Sequence, residues 1–154
     1  MSRKEQLTMK PVYNKKTTVL VTGVFDLLHR EHIIFLRKAK KLGDYLIVGV
    51  ESDKRVKEIK GVNRPINDQN KRVERIEFEQ IADQVLILPE KFSTKEDHLE
   101  FIKRINPDIL AVSSHTAHLD KKAAIMRLVS GRIEIIHNHN PDISTTIILN
   151  NSRE

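Results

Sequence analysis

The chain has 154 residues, 39% hydrophobic and 31% charged, which fits one well-solvated globular domain with one core. It contains no Cys, which excludes a disulfide scaffold, a thiolate nucleophile and any cysteine-based zinc or iron–sulfur site. The net charge of +6 suits an anionic partner; without aromatic interleaving or a recognisable nucleic-acid module, a small anion is expected rather than RNA or DNA.

Residues 1–16 lack apolar periodicity, contain Pro11 and set five basic residues against Glu5 alone, so they read as a flexible tail before a single domain over 17–154. Thr17–Thr22 (TTVLVT) is a β-branched run closed by Gly23, the pattern of a buried strand. Glu31–Leu42 reads as a helix, with Phe35, Leu36, Ala39 and Leu42 at helical spacing and Gly43 suited to a left-handed cap. Tyr45–Val50 (YLIVGV) is a second buried strand. It is the longest apolar stretch, and far too short to cross a bilayer. With no signal-peptide pattern, a soluble cytoplasmic protein is expected. A short helix over Asp53–Ile59 is followed by a loop over Gly61–Asp68 and a charged amphipathic helix over Gln69–Ile81. Strand Gln84–Leu88, helix Thr94–Ile105, strand Ile109–Val112, helix Ala117–Val129 and strand Arg132–Ile136 complete the alternation. His98 is expected on the outer side of its helix, and Ser144–Leu149 reads as the first turns of a last helix.

Apolar strands alternating with helices predict an α/β fold: a Rossmann-like three-layer α/β/α sandwich around a five-stranded parallel sheet. Ligands of such sheets bind beyond the carboxyl ends of the strands, where the topology switches. That rule directs attention to residues 23–32, 112–118 and 137–146.

The first of these reads Gly23-Val24-Phe25-Asp26-Leu27-Leu28-His29-Arg30-Glu31-His32. A glycine closes the strand and permits close backbone approach. Two histidines three apart then fall on one side of a helix's first turn. Free N–H groups there, with the positive end of the helix dipole, make a phosphate site. Imidazoles add directed donors able to stabilise charge as a bond to phosphorus breaks.

This run resembles the HxGH signature of the cytidylyltransferase-like nucleotidyltransferases, G-x-F-D-x-x-H-x-G-H, in which Gly23, Phe25, Asp26, His29 and His32 match in residue and spacing. Lys60-Gly61-Val62-Asn63-Arg64-Pro65, followed by Arg72, is similar to the K-G-x-x-R-P…R segment of heptose-phosphate nucleotidyltransferases. Ile143-Ser144-Thr145-Thr146-Ile147-Ile148 is similar to the family's I-S-T-T-x-I segment. The resemblance implies transfer of a nucleoside monophosphate from CTP or ATP to a phosphorylated small molecule, with Mg²⁺ brought by the triphosphate. His29 and His32 would stabilise the transition state, and Lys60 and Arg72 would approach the reacting phosphates. Gly23, Val24, Phe25 and Asp26 would line the nucleotide, Asp26 by ordering its loop. Ser144 and Thr145 would touch the β- and γ-phosphates with Thr146 nearby. Ile147 stands where pantetheine-phosphate and nicotinamide-nucleotide adenylyltransferases carry a basic residue, which favours the sugar-phosphate branch; phosphoethanolamine or phosphocholine and FMN also occur as acceptors among similar proteins, and a sugar or polyol phosphate is the expected one. A homodimer is compatible with the family.

Two positions depart from the pattern. Glu31 replaces the glycine between the histidines, bringing bulk and negative charge toward anionic phosphates. Ser113-Ser114-His115 replaces the usual G-G-D or G-D-D run; these residues can hydrogen-bond a base or ribose, but they leave the choice of base open. A catalytically degenerate nucleotide-binding module and a fragment related to class I aminoacyl-tRNA synthetases are the rival readings. His115-x-x-His118 and His137-x-His139 are weak zinc spacings with no Cys to complete a tetrahedral set, so no protein-held metal is expected.

Overall fold

A computed structural model of the chain describes residues 16–137. The elements are β1 (Thr18–Gly23), α1 (Arg30–Lys40), β2 (Tyr45–Val50), α2 (Asp53–Lys60), α3 (Gln69–Phe78), β3 (Gln84–Ile87), α4 (Lys95–Ile105), β4 (Ile109–Ser113), α5 (Leu119–Arg127) and β5 (Arg132–Ile136). Residues 1–15 of the tail expected over 1–16 and the helix start expected at Ser144–Leu149 lie outside the described residues, as does His139.

The five strands are all parallel, in the order β3-β2-β1-β4-β5. The chain runs outward from β1 to β3, then returns to pair β4 with the other edge of β1. The topological switch therefore falls between β1 and β4, where Val19 pairs with Ile109 and Leu20 with Leu110. The crevice beyond their carboxyl ends is bounded by the β1–α1 and β4–α5 connections.

Strand alternation divides the core between the two faces of the sheet. Val19, Val21, Leu46 and Val48 meet Leu36 and Ala39 of α1 and Ile76 of α3 on one face. Leu20, Ile47, Leu110 and Val112 meet Phe101 and Ile102 of α4 and Ile125 and Met126 of α5 on the other. Each fully buried Leu or Ile contributes about 1.5–3 kcal/mol. The sandwich is thus fixed by aliphatic residues, as the scarcity of aromatics requires.

Several boundaries differ from those expected. Helix α1 ends at Lys40, with Lys41 as a right-handed C-cap, so Gly43 is no left-handed cap. A Cβ on Gly43 would stand 2.6 Å from the Thr17 carbonyl oxygen; the glycine serves close approach to the start of β1. Helix α5 begins only at Leu119, because His118 takes a left-handed backbone (φ 58°) and offers no side-chain cap. Helix α3 stops at Phe78, before Ile81. His98 does not face outward: it is half-buried, its Nε2 lies 2.9 Å from the Phe92 carbonyl oxygen, and its ring meets Phe92 edge-on. Among the described residues no helix is long and apolar enough to cross a membrane.

Candidate active site

At the carboxyl end of β1 the backbone turns sharply. Phe25 adopts φ 51°, and a Cβ on Gly23 would stand 2.8 Å from Phe25 Cε2. The missing side chain of Gly23 therefore makes room for the Phe25 ring, which in turn meets His32 edge-on at 5.3 Å. That contact places the second imidazole.

The two histidines cap α1 reciprocally. His29 is the N-cap residue and its Nδ1 accepts a hydrogen bond from the Glu31 main-chain N–H at 3.2 Å. The Nδ1 of His32 accepts from the His29 main-chain N–H at 3.4 Å. This is the capping-box arrangement with imidazoles in place of hydroxyl and carboxylate. An Nδ1 that accepts carries no proton, so each neutral ring holds its proton on Nε2. The rings stack, with centroids 3.8 Å apart and planes inclined by 20°. Burial lowers the His29 pKa, against the pull of Glu31. Burial, then the neighbouring His29, lower that of His32 to about 4; a hydrogen bond with the Leu27 main chain opposes this and Lys60 adds to it. The Nε2 of His29 is buried and has no partner among the described residues.

These rings open on a cleft of about 330 Å³ at the switch point. Of the residues singled out from the sequence, Gly23, Val24, Phe25, His29, His32, Lys60 and Ser113 line it. Lys60 reaches it from the end of α2. Its pKa is lowered by burial, then by Arg64, with Asp26 acting in the opposite sense. Glu31 is also in the wall, on the first turn of α1 beside the histidines.

Asp26, Arg72, Ser114 and His115 are not in that wall. Asp26 is 1% exposed and its carboxylate is occupied. It accepts from the main-chain N–H groups of Ile66 and Asn67 and from Arg64 Nε at 2.9 Å, tying the loop before α3 to the β1–α1 turn. Desolvation would raise its pKa, but these hydrogen bonds outweigh it and hold the carboxyl below its usual range.

Arg72 is wholly buried and likewise occupied. It donates to the carbonyl oxygens of Asn67, Val24 and Glu51 and to Asp53 Oδ1, all at 2.8–2.9 Å. The expected approach of Arg72 to phosphates is therefore not met: the guanidinium knits together the β1–α1 turn, the end of β2 and the start of α2. Ser114 and His115 are exposed on the β4–α5 turn, where Thr116 faces the cleft instead. Ser144, Thr145 and Thr146 lie outside the described residues.

The sequence reading missed Thr116 and Lys122 in the cleft wall. Thr116 lies within the 112–118 stretch but just after the Ser113–His115 run named as site residues, and its Oγ1 lies 3.3 Å from Ser113 Oγ. Lys122 gave no local signal, since a lysine on an amphipathic helix reads as solvated. No group of three or more His, Cys, Asp or Glu able to hold a metal occurs among the described residues.

A parallel sheet with a donor-rich helix start at its switch point defines the nucleotide-binding α/β class. The chain belongs to the cytidylyltransferase-like family, whose model matches residues 20–151. It is 38% identical over 136 residues to the bifunctional protein HldE of Campylobacter jejuni strain RM1221, covering 88% of this chain but 28% of that protein. It is 46% identical over 99 residues to the FAD synthase of Thermococcus sibiricus, covering 64% of this chain and 63% of that one. The chain thus spans about a quarter of the bifunctional relatives it matches. Among solved structures, a lipopolysaccharide core biosynthesis protein from Thermoplasma volcanium superposes with a TM-score of 0.65 at 26% identity, covering 82% of this chain and 99% of that one.

Proposed function

We propose that this chain is a nucleotidyltransferase that moves a nucleoside monophosphate from CTP or ATP to a phosphorylated small molecule. The observation that carries the reading is the stacked pair of imidazoles, fixed by main-chain caps at a helix N-terminus in the switch-point cleft. An acceptor phosphate oxygen, already deprotonated, forms a bond to the α-phosphorus. The bond from that phosphorus to the bridging oxygen breaks, and pyrophosphate leaves with the electron pair. No general base and no covalent enzyme intermediate are required, so positioning and charge neutralisation supply the catalysis.

His29 and His32 donate to oxygens that gain charge, and Lys60 neutralises the leaving phosphates. Arg64, Asp26 and Arg72 hold the connections that carry these groups. Mg²⁺ enters as part of the triphosphate substrate. A sugar or polyol phosphate and FMN are both in scope as acceptors, and the cytoplasm supplies either triphosphate.

Release of pyrophosphate is the test. CTP and ATP are each incubated with Mg²⁺ and a panel of phosphate monoesters. Release that requires one triphosphate and one acceptor supports the reading; silence with every pair at saturating Mg²⁺ sinks it. Glu31 in the cleft wall favours a second reading, a nucleotide-binding module that turns over slowly or not at all. Triphosphate binding without pyrophosphate release would select it.

A further inference from the structure

Helix α3 turns Arg72 and Ile76 into the protein and presents a second stripe on its opposite side. Lys71, Glu74, Arg75 and Phe78 follow one another at i, i+3, i+4 and i+7, the spacing of a single helix face. All four are exposed, and with Leu28 and Glu79 they line a groove of about 380 Å³. Phe78 is 84% exposed, whereas every other Phe is buried or half-buried. A lone exposed Leu or Val is ordinary; Phe and Arg side by side is a composition that marks interfaces. The charged residues around the groove stand at spacings that let charges pair along a helix, as Arg55 and Glu58 do on α2. Yet none of Lys71, Glu74, Arg75 and Glu79 forms an ion pair among the described residues.

We propose that this stripe pairs with the same stripe of a second copy of the chain, antiparallel about a two-fold axis between Glu74 and Arg75. Such an axis sets Glu74 against the partner's Arg75 and Arg75 against the partner's Glu74, because a two-fold contact is self-complementary. Lys71 falls on the partner's Phe78, with its methylene stem along the ring and its ammonium over the ring face. The groove takes that ring beside Leu28. An apolar cavity of about 150 Å³ already holds benzene, so the groove has room for the ring and the lysine stem together. A parallel pairing would set Glu74 on Glu74 and Arg75 on Arg75, and like charges in contact oppose association. The order of charges along the stripe thus selects the antiparallel arrangement. No residue of the groove lines the catalytic cleft, so the pairing is independent of the transferase reading.

Sedimentation equilibrium of the full chain is the test, with exchange of charges across the axis. The wild type should self-associate to twice the mass of the chain. Glu74→Arg sets arginine on arginine and Arg75→Glu sets glutamate on glutamate; each should weaken self-association by about tenfold or more. Mixed in equal amounts, the two variants should dimerise as the wild type does, since every contact across the axis again joins opposite charges. The double variant Glu74→Arg/Arg75→Glu should dimerise alone for the same reason. Phe78→Ser, which removes the ring, should weaken the dimer by about tenfold or more. All three positions are exposed, so each variant should melt close to the wild type. A wild type that stays monomeric at every concentration overturns the pairing, and leaves the face to another protein or to a part of this chain outside the described residues. A dimer indifferent to both charge reversals has its interface elsewhere and overturns it as well. Dissociation of both single variants without recovery in their mixture overturns the antiparallel register.

Discussion

The imidazoles of His29 and His32 stack at 3.8 Å, each with its Nδ1 turned to a main-chain N–H. Neither ring is built to carry charge in the unliganded protein. His32 takes up a proton near pH 6.5 when unfolded but only near pH 4 when folded, so the unfolded chain binds more protons between those values. Stability should fall as pH drops from 6.5 to 4, by at most about 3 kcal/mol from this residue. Thermal unfolding across that range should show the slope, and His32→Asn should flatten it. The lowered pKa of Asp26 acts in a separate window, removing stability only as pH falls below its usual 3.8. A slope unchanged in His32→Asn would contradict the assignment.

Arg72→Met should destabilise the protein by about 3 kcal/mol or more, because three carbonyl oxygens lose their buried donor. Urea unfolding measures this directly. Full stability combined with lost activity would instead place the guanidinium on substrate.

Lys60 gives the opposite pattern. It is exposed at the end of α2, so Lys60→Ala should change stability by no more than about 0.5 kcal/mol. Its kcat/KM should fall about 100-fold, as expected for loss of one charge-stabilising donor. Steady-state pyrophosphate release alongside a melting curve separates the two effects.

The carboxylate of Glu31 competes with phosphate for the N-terminal end of α1. Glu31→Gln should tighten triphosphate binding several-fold, by about 1 kcal/mol. Isothermal titration with CTP and ATP reads this out; weaker binding would mean that the carboxylate serves the ligand.

The fold was legible because its strands are short continuous apolar runs separated by amphipathic helices, a pattern that only a covered parallel sheet satisfies. Gly23, the two histidines and Lys60 were legible as a group because a short motif and one loop bring them forward together. What could not be read was whether a charged residue would face ligand or protein. Arg72 looks like a cleft residue in one dimension, and although Asp26 is expected to order its loop, the partners of both are mostly main-chain groups that carry no side-chain signature. Asp26 holds residues 66 and 67, about 40 positions away, and nothing local marks that pairing. The converse failure is Lys122, a surface lysine by every local rule, which the packing of α5 over β4 turns toward two cavities. His98 failed similarly: the Phe92 carbonyl that draws its ring inward belongs to the preceding connection.

The reciprocal caps on α1 also decide what an inhibitor must look like. Since folding itself has used the Nδ1 lone pair of each ring, what the pair has left can offer hydrogen but no electrons. A sulfonate, a phosphonate or a carboxylate has what the pair wants, whereas an amine or amidinium meets two donors and a lysine. Chemists approaching this cleft should begin from anions, since among the described residues a cation would find only Glu31 to pair with in its wall.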